Sequence, residues 1–139
     1  MNNPFRNVQD YELFLYTLTE QFPFVTRSTL VLIHVGVSMA KVSGEAYFQN
    51  GIRLVLRERL IFDSLPLVID AYGYEVWNGE EKLFWYDSQP HPNDPSLQNT
   101  HPHHKHIPPD IKHNRSPAPG MSFSRPNLPA LIREVEGLK

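Results

Sequence analysis

Five of the seven histidines fall between His101 and Arg115, together with Lys105, Lys112, Arg115 and a single acid, Asp110. Imidazole is the side chain whose ordinary pKa lies closest to neutrality. A cluster of it can deliver protons, ligate a borderline metal, or bring positive charge to a phosphate. His104 and His106 stand two apart, so in an extended run they point to one side, and His101 and His103 form a second such pair. The metal reading has donors enough in His101, His103, His104 and His106, with Asp110 as a carboxylate. The spacing nonetheless matches neither His-x-x-x-His on a helix nor His-Glu-x-x-His, so no metal is assigned and no cofactor is expected. A plainer use also stands: histidine and proline can lock a loop by stacking and by hydrogen bonds to carbonyls.

The elements that position this segment follow from the rest of the chain. Pro102, Pro108 and Pro109 exclude a regular helix there, and ten of the thirteen prolines lie between Pro90 and Pro129. A long irregular segment over 88–126 is therefore expected, anchored on the remainder by Ile107, Ile111, Met121 and Phe123. Upstream, Tyr11, Phe14, Leu15, Leu18 and Phe22 mark one face of a helix capped by Asn7 or Asp10 and stopped at Pro23. Leu30–Val37 reads as a strand apolar on both faces and so covered on both, with His34 a satisfied core histidine and Gly36 and Gly44 at bends. Ile52, Leu54, Leu56, Glu58, Leu60 and Phe62 alternate with Arg53, Arg57 and Arg59, a strand with one oily and one basic face.

Turn chemistry sets the pairing. Around Asn50-Gly51, a three-residue loop with Gly51 left-handed pairs Phe48 with Ile52, Ala46 with Leu54 and Val42 with Glu58, and brings Glu45 to Arg53. At Asn78-Gly79, a two-residue turn opposes Glu75 to Lys82, Tyr74 to Leu83, Tyr72 to Trp85 and Asp70 to Asp87. The two facing carboxylates would sit at a frayed, wet end or share a proton or cation. Asn127 and Pro129 open a short amphipathic helix through Leu128, Leu131, Ile132, Val135 and Leu138, with Arg125 and Asn127 as capping groups. The expected fold is α+β: one domain over 1–139, a four-stranded antiparallel meander carrying an N-terminal and a C-terminal helix and a long ordered Pro/His-rich loop.

Composition narrows function further. The chain has 139 residues and no cysteine, which excludes thiolate metal sites and disulfides. A formal charge of −2 argues against a histone-like surface but leaves room for a local basic patch. The N-terminus lacks the pattern of a secretion signal and the apolar run 30–37 is too short to span a bilayer, so a cytoplasmic protein without membrane contact is expected.

The segments Tyr86–Pro92, Thr100–His106, Pro109–Arg115 and Ser122–Pro129 resemble the TumE-like toxins of bacterial type II toxin–antitoxin pairs, particularly those common in cyanobacteria. The resemblance runs from about Gln9 to Glu136, and the His/Pro segment is its most distinctive motif. It implies a small cytoplasmic protein neutralised by a cognate antitoxin protein, arresting growth through RNA cleavage or translation, with mRNA or ribosome-associated RNA as substrate. The expected activity is that of a metal-independent endoribonuclease, in which one group takes the 2′-hydroxyl proton, another protonates the leaving oxygen, and cations steady the phosphorane. His104 and His106 are the first choices for proton transfer, then His101 and His103. Glu58, a carboxylate among core positions, is a further possible base, although a structural hydrogen bond is its commoner use. Arg53, Arg57, Arg59, Lys105, Lys112, His113 and Arg115 would form a cationic groove, with Tyr72, Trp85 and Tyr86 as stacking platforms for bases. The alternative of another class is a non-catalytic module that binds RNA, the ribosome or a protein through the same loop.

Overall fold

The computed structural model describes residues 3–138. The Asn7 side chain accepts from the amide of Asp10 and starts α1 (Val8–Tyr16), whose apolar stripe of Tyr11, Phe14 and Leu15 is buried. The helix breaks at Thr17, whose hydroxyl turns back to the Leu13 carbonyl, and α2 (Leu18–Gln21) continues the same stripe with buried Leu18.

Eight antiparallel strands follow: β1 (Val25–Ser28), β2 (Val31–His34), β3 (Met39–Phe48), β4 (Ile52–Ile61), β5 (Val68–Asn78), β6 (Glu81–Asp87), β7 (His104–His106) and β8 (Arg115–Pro117). The sheet runs β1-β3-β4-β5-β6-β7-β8, with β2 pairing the other half of β3. Buried residues of α1 and of α3 (Leu128–Glu136) join those of the sheet in one core. The other face of the sheet stays open: along β4, Ile52, Leu54, Leu56, Glu58 and Leu60 are buried while Arg57 and Arg59 are exposed.

The three-residue loop at Asn50 is present. Gly51 has φ +83°, its amide donates to the Phe48 carbonyl at 3.0 Å, and Val42 lies opposite Glu58. Arg53 donates to Glu45 across the pair at 2.7 Å.

Several expectations need correction. The sheet has eight strands rather than four, because β1 and β2 both pair with β3 and the Pro/His-rich segment contributes β7 and β8, with a short 3-10 turn, Pro95–Thr100, in place of a structureless loop. The β5–β6 register also differs: the turn falls at Gly79-Glu80, with Asn78 opposite Glu81 in place of an Asn78-Gly79 turn, and a bulge after Val76 then leaves Glu75 opposite Trp85, Tyr74 opposite Tyr86 and Gly73 opposite Asp87. This one-residue irregularity flips β6, so that Phe84 and Tyr86 enter the core while Trp85 and Asp87 face the open side. Asp70 consequently pairs with Arg59 rather than Asp87 (Nε to Oδ2, 2.7 Å). The segment 30–37 is not covered on both faces; Val31, Ile33, Val35 and Val37 are exposed, and so is His34, which packs edge-on against Phe62. The Asn127 side chain makes no cap bond to α3. Its buried amide instead accepts from Ser122 N and donates to the Tyr74 hydroxyl, and Arg125 reaches the Gly120 carbonyl.

Candidate functional site

β7 extends the sheet beyond β6, with His106 opposite Trp85, Lys105 opposite Tyr86 and His104 opposite Asp87. Alternation then sorts its three side chains. Lys105 turns to the helix side and meets Glu134 of α3 at 2.7 Å, while His104 and His106 share the open side with Asp87 and Trp85. His106 stacks on the Trp85 indole with centroids 3.9 Å apart, and His91 packs edge-on against His104.

Three groups converge there. Nε2 of His104 lies 2.9 Å from Asp87 Oδ1, Nε2 of His106 lies 3.3 Å from Asp87 Oδ2, and the two Nε2 atoms are 3.2 Å apart. The far nitrogens are fixed by backbone: His104 Nδ1 is 3.0 Å from the Pro102 carbonyl and His106 Nδ1 is 2.8 Å from that of Ile111. A carbonyl only accepts, so each Nδ1 carries hydrogen and each neutral ring presents a bare Nε2 lone pair to the cluster. Burial pushes Asp87 up, but the His104 contact and the hydrogen bond from Trp85 outweigh it and hold the carboxyl well below its usual range. Burial likewise lowers both imidazoles; for His104 the Asp87 contact and the Pro102 carbonyl reverse the sign, whereas His106 stays below its ordinary value.

Asp87 also lines a groove of about 540 Å³ with Arg57, Arg59, Tyr72 and Pro102. Arg57 lies against Gly73 and has no carboxylate partner among the described residues. Further along the open face, cations and rings alternate: Arg27 over Tyr47, Arg53 over Trp77, and Lys82 over Trp85 at 4.2 Å. His103 stands at the groove's edge, its Nδ1 2.6 Å from the Tyr72 hydroxyl and its ring against Phe123.

The remaining residues singled out from the sequence are placed as follows. Tyr72 and Tyr86 are buried on the core side, Tyr86 donating to Glu134 at 2.7 Å, so neither presents a free ring for stacking. Glu58 is inside the core between the Tyr11 and Tyr74 hydroxyls. His101, Lys112 and His113 are exposed, His113 against Asp110, and Arg115 sits on β8 opposite His106. The structure thus brings together His104, His106 and Trp85, and separately Arg57 and Arg59. His101 and Glu58 belong to neither group. Asp87, expected opposite Asp70 at a frayed hairpin end, is instead a member of the site, and His91 joins it without having been singled out from the sequence. The signal for Asp87 was its position two residues after Trp85, which becomes meaningful only once β6 has a neighbour to pair with.

The model of a family described as toxin TumE matches residues 15–139. The chain belongs to this family. Membership makes this TumE-family chain the toxin of a toxin–antitoxin system, with an antitoxin as its partner. No curated protein and no solved structure matches the chain significantly. Among the described residues no helix is long and apolar enough to cross a membrane.

Proposed function

We propose that this TumE-family toxin acts in the cytoplasm as an endoribonuclease, with its RNA laid across the open face of the sheet. The single observation that supports this most is the sharing of that face by Arg57, Arg59, Asp87 and a run of cation-covered aromatic rings. Such a surface suits single-stranded RNA, whose phosphates take the cations and whose bases stack on aromatic faces. Arg57, free of carboxylates among the described residues, is the natural phosphate ligand, and Arg59, partly engaged by Asp70, is the second.

For cleavage through the 2′-hydroxyl, we assign proton transfer to His103, whose Nδ1 is held by the Tyr72 hydroxyl beside the groove that Tyr72 and Pro102 help to line. His104 and His106 have Nε2 atoms 3.2 Å apart and are almost wholly buried, which leaves no room for a phosphate between them. Their proposed part is to position Asp87 and the β6–β7 edge. Cleavage on this scheme needs no metal in the reacting step.

The test is induction of the toxin alone in bacteria, followed by assay of the purified chain on RNA. Growth arrest with RNA fragmentation is expected, and Tyr72→Phe with His103→Ala should reduce cleavage by about 10²–10⁴-fold while the fold persists. Arrest with intact RNA would favour the non-catalytic reading. The observation on the side of that reading is that His104 and His106 are almost wholly buried, with both Nδ1 atoms held on backbone carbonyls.

A further inference from the structure

We infer that Asp87, His104 and His106 form a site for one divalent late transition-metal ion, zinc being the best fit to the donor set. Their donor atoms lie within 4.8 Å of one another. The separations are more telling: His104 Nε2 is 2.9 Å from Asp87 Oδ1, His106 Nε2 is 3.3 Å from Asp87 Oδ2, and the two Nε2 atoms are 3.2 Å apart, so the carboxylate turns one oxygen to each ring. Donors arranged tetrahedrally around zinc, each about 2.0–2.1 Å from it, stand roughly 3.3 Å apart.

The orientation of the rings supports the same conclusion. Both Nδ1 atoms are tied to backbone carbonyls, of Pro102 and Ile111, which fixes the tautomer that turns the Nε2 lone pairs inward. This is the outer-shell arrangement that metal-ligating histidines use. The carboxylate is fixed as well, Oδ2 by the Trp85 indole N–H and Oδ1 by the Gln89 amide, each at 3.0 Å. One extra proton on His104 satisfies its contact with Asp87 but leaves the His106 lone pair facing a carboxylate oxygen. A cation satisfies all three contacts together. Nitrogen-rich donors select zinc and its neighbours over magnesium or calcium, which prefer oxygen.

Two ligands come from β7 and one from β6, so the ion would clip the three-residue strand to the body of the sheet. The inference does not depend on the RNA reading, because the ion's binding is measured without RNA. Full-length chain stripped with a chelator is titrated with zinc chloride by calorimetry and with cobalt chloride by visible absorption. One equivalent is expected to bind, with a ligand-field band for cobalt and a rise of several degrees in melting temperature. Asp87→Asn, close to isosteric, and His106→Ala should each weaken zinc binding tenfold or more, whereas His101→Ala and His113→Ala should leave it unchanged. Asp87→Asn keeps the test usable if a histidine variant fails to fold. Absence of saturable binding to the unmodified chain overturns the inference. So does binding that is lost with His101 or His113 but survives at Asp87 and His106, which would mark surface chelation only.

Discussion

The hydroxyl of Tyr11 donates to Oε1 of Glu58 at 2.6 Å, joining α1 to the middle of the sheet. Tyr74 donates to the other carboxylate oxygen, and Asn127 donates in turn to Tyr74, so that one buried acid links both terminal regions. Burial raises the Glu58 pKa, partly offset by the two phenols. In the native state the carboxyl therefore holds its proton to higher pH than it does unfolded, and stability falls as pH rises between the unfolded and the folded pKa. Thermal unfolding followed from pH 4 upward should show this decline. Glu58→Gln, which keeps one acceptor and gains a donor, should flatten it, while Glu58→Ala should cost about 1–3 kcal/mol by stranding the phenols. A slope unchanged in the glutamine variant would contradict the assignment.

Arg57 is proposed to contact phosphate rather than a base. Arg57→Ala should then weaken RNA binding to all sequences alike and reduce the slope of log affinity against log salt by roughly 0.7. Stability should change by no more than about 0.5 kcal/mol, since the guanidinium is exposed and has no carboxylate partner among the described residues. Filter binding across a salt series distinguishes this from sequence-selective recognition.

Trp77 and Tyr86 are both aromatic and lie in neighbouring strands, yet opposite outcomes are expected. Trp77 faces the open side beneath Arg53 and Lys82, so Trp77→Ala should lose about 1–3 kcal/mol of RNA binding and little stability. Tyr86 is buried and bonded to Glu134, so Tyr86→Phe should cost about 0.5–1.5 kcal/mol of stability and leave RNA affinity alone. Paired denaturant melts and binding curves check both.

Gly44 marks where the chain passes from β1 to β2 along β3. Its φ is +139°, and a Cβ there would lie 2.6 Å from the Thr29 carbonyl oxygen. Gly44→Ala should destabilise the fold by about 2–4 kcal/mol, since both a disfavoured backbone conformation and a backbone clash must be relieved. Hydrogen exchange should show the loss first at β1 and β2.

Local chemistry made much of this legible before any coordinates. The alternation of leucines and arginines placed Arg57 and Arg59 outward, and keeping like with like across Asn50-Gly51 set the β3–β4 register, because both depend only on residues a few positions apart. The periodicities of α1 and α3 are of the same kind. Tertiary structure alone decided the rest. Three residues, His104–His106, carry too little pattern to announce a strand and become one only through the hydrogen bonds that the edge of β6 offers. The bulge at Val76, which turns Asp87 toward the histidines, is a compromise between turn geometry and the burial of Phe84 and Tyr86 that no short window contains. The sequence by itself determined that a basic sheet face and an imidazole cluster would exist. Their meeting on one side of one sheet was left to long-range pairing, which selects a register by the core it buries and not by the groups it leaves facing water.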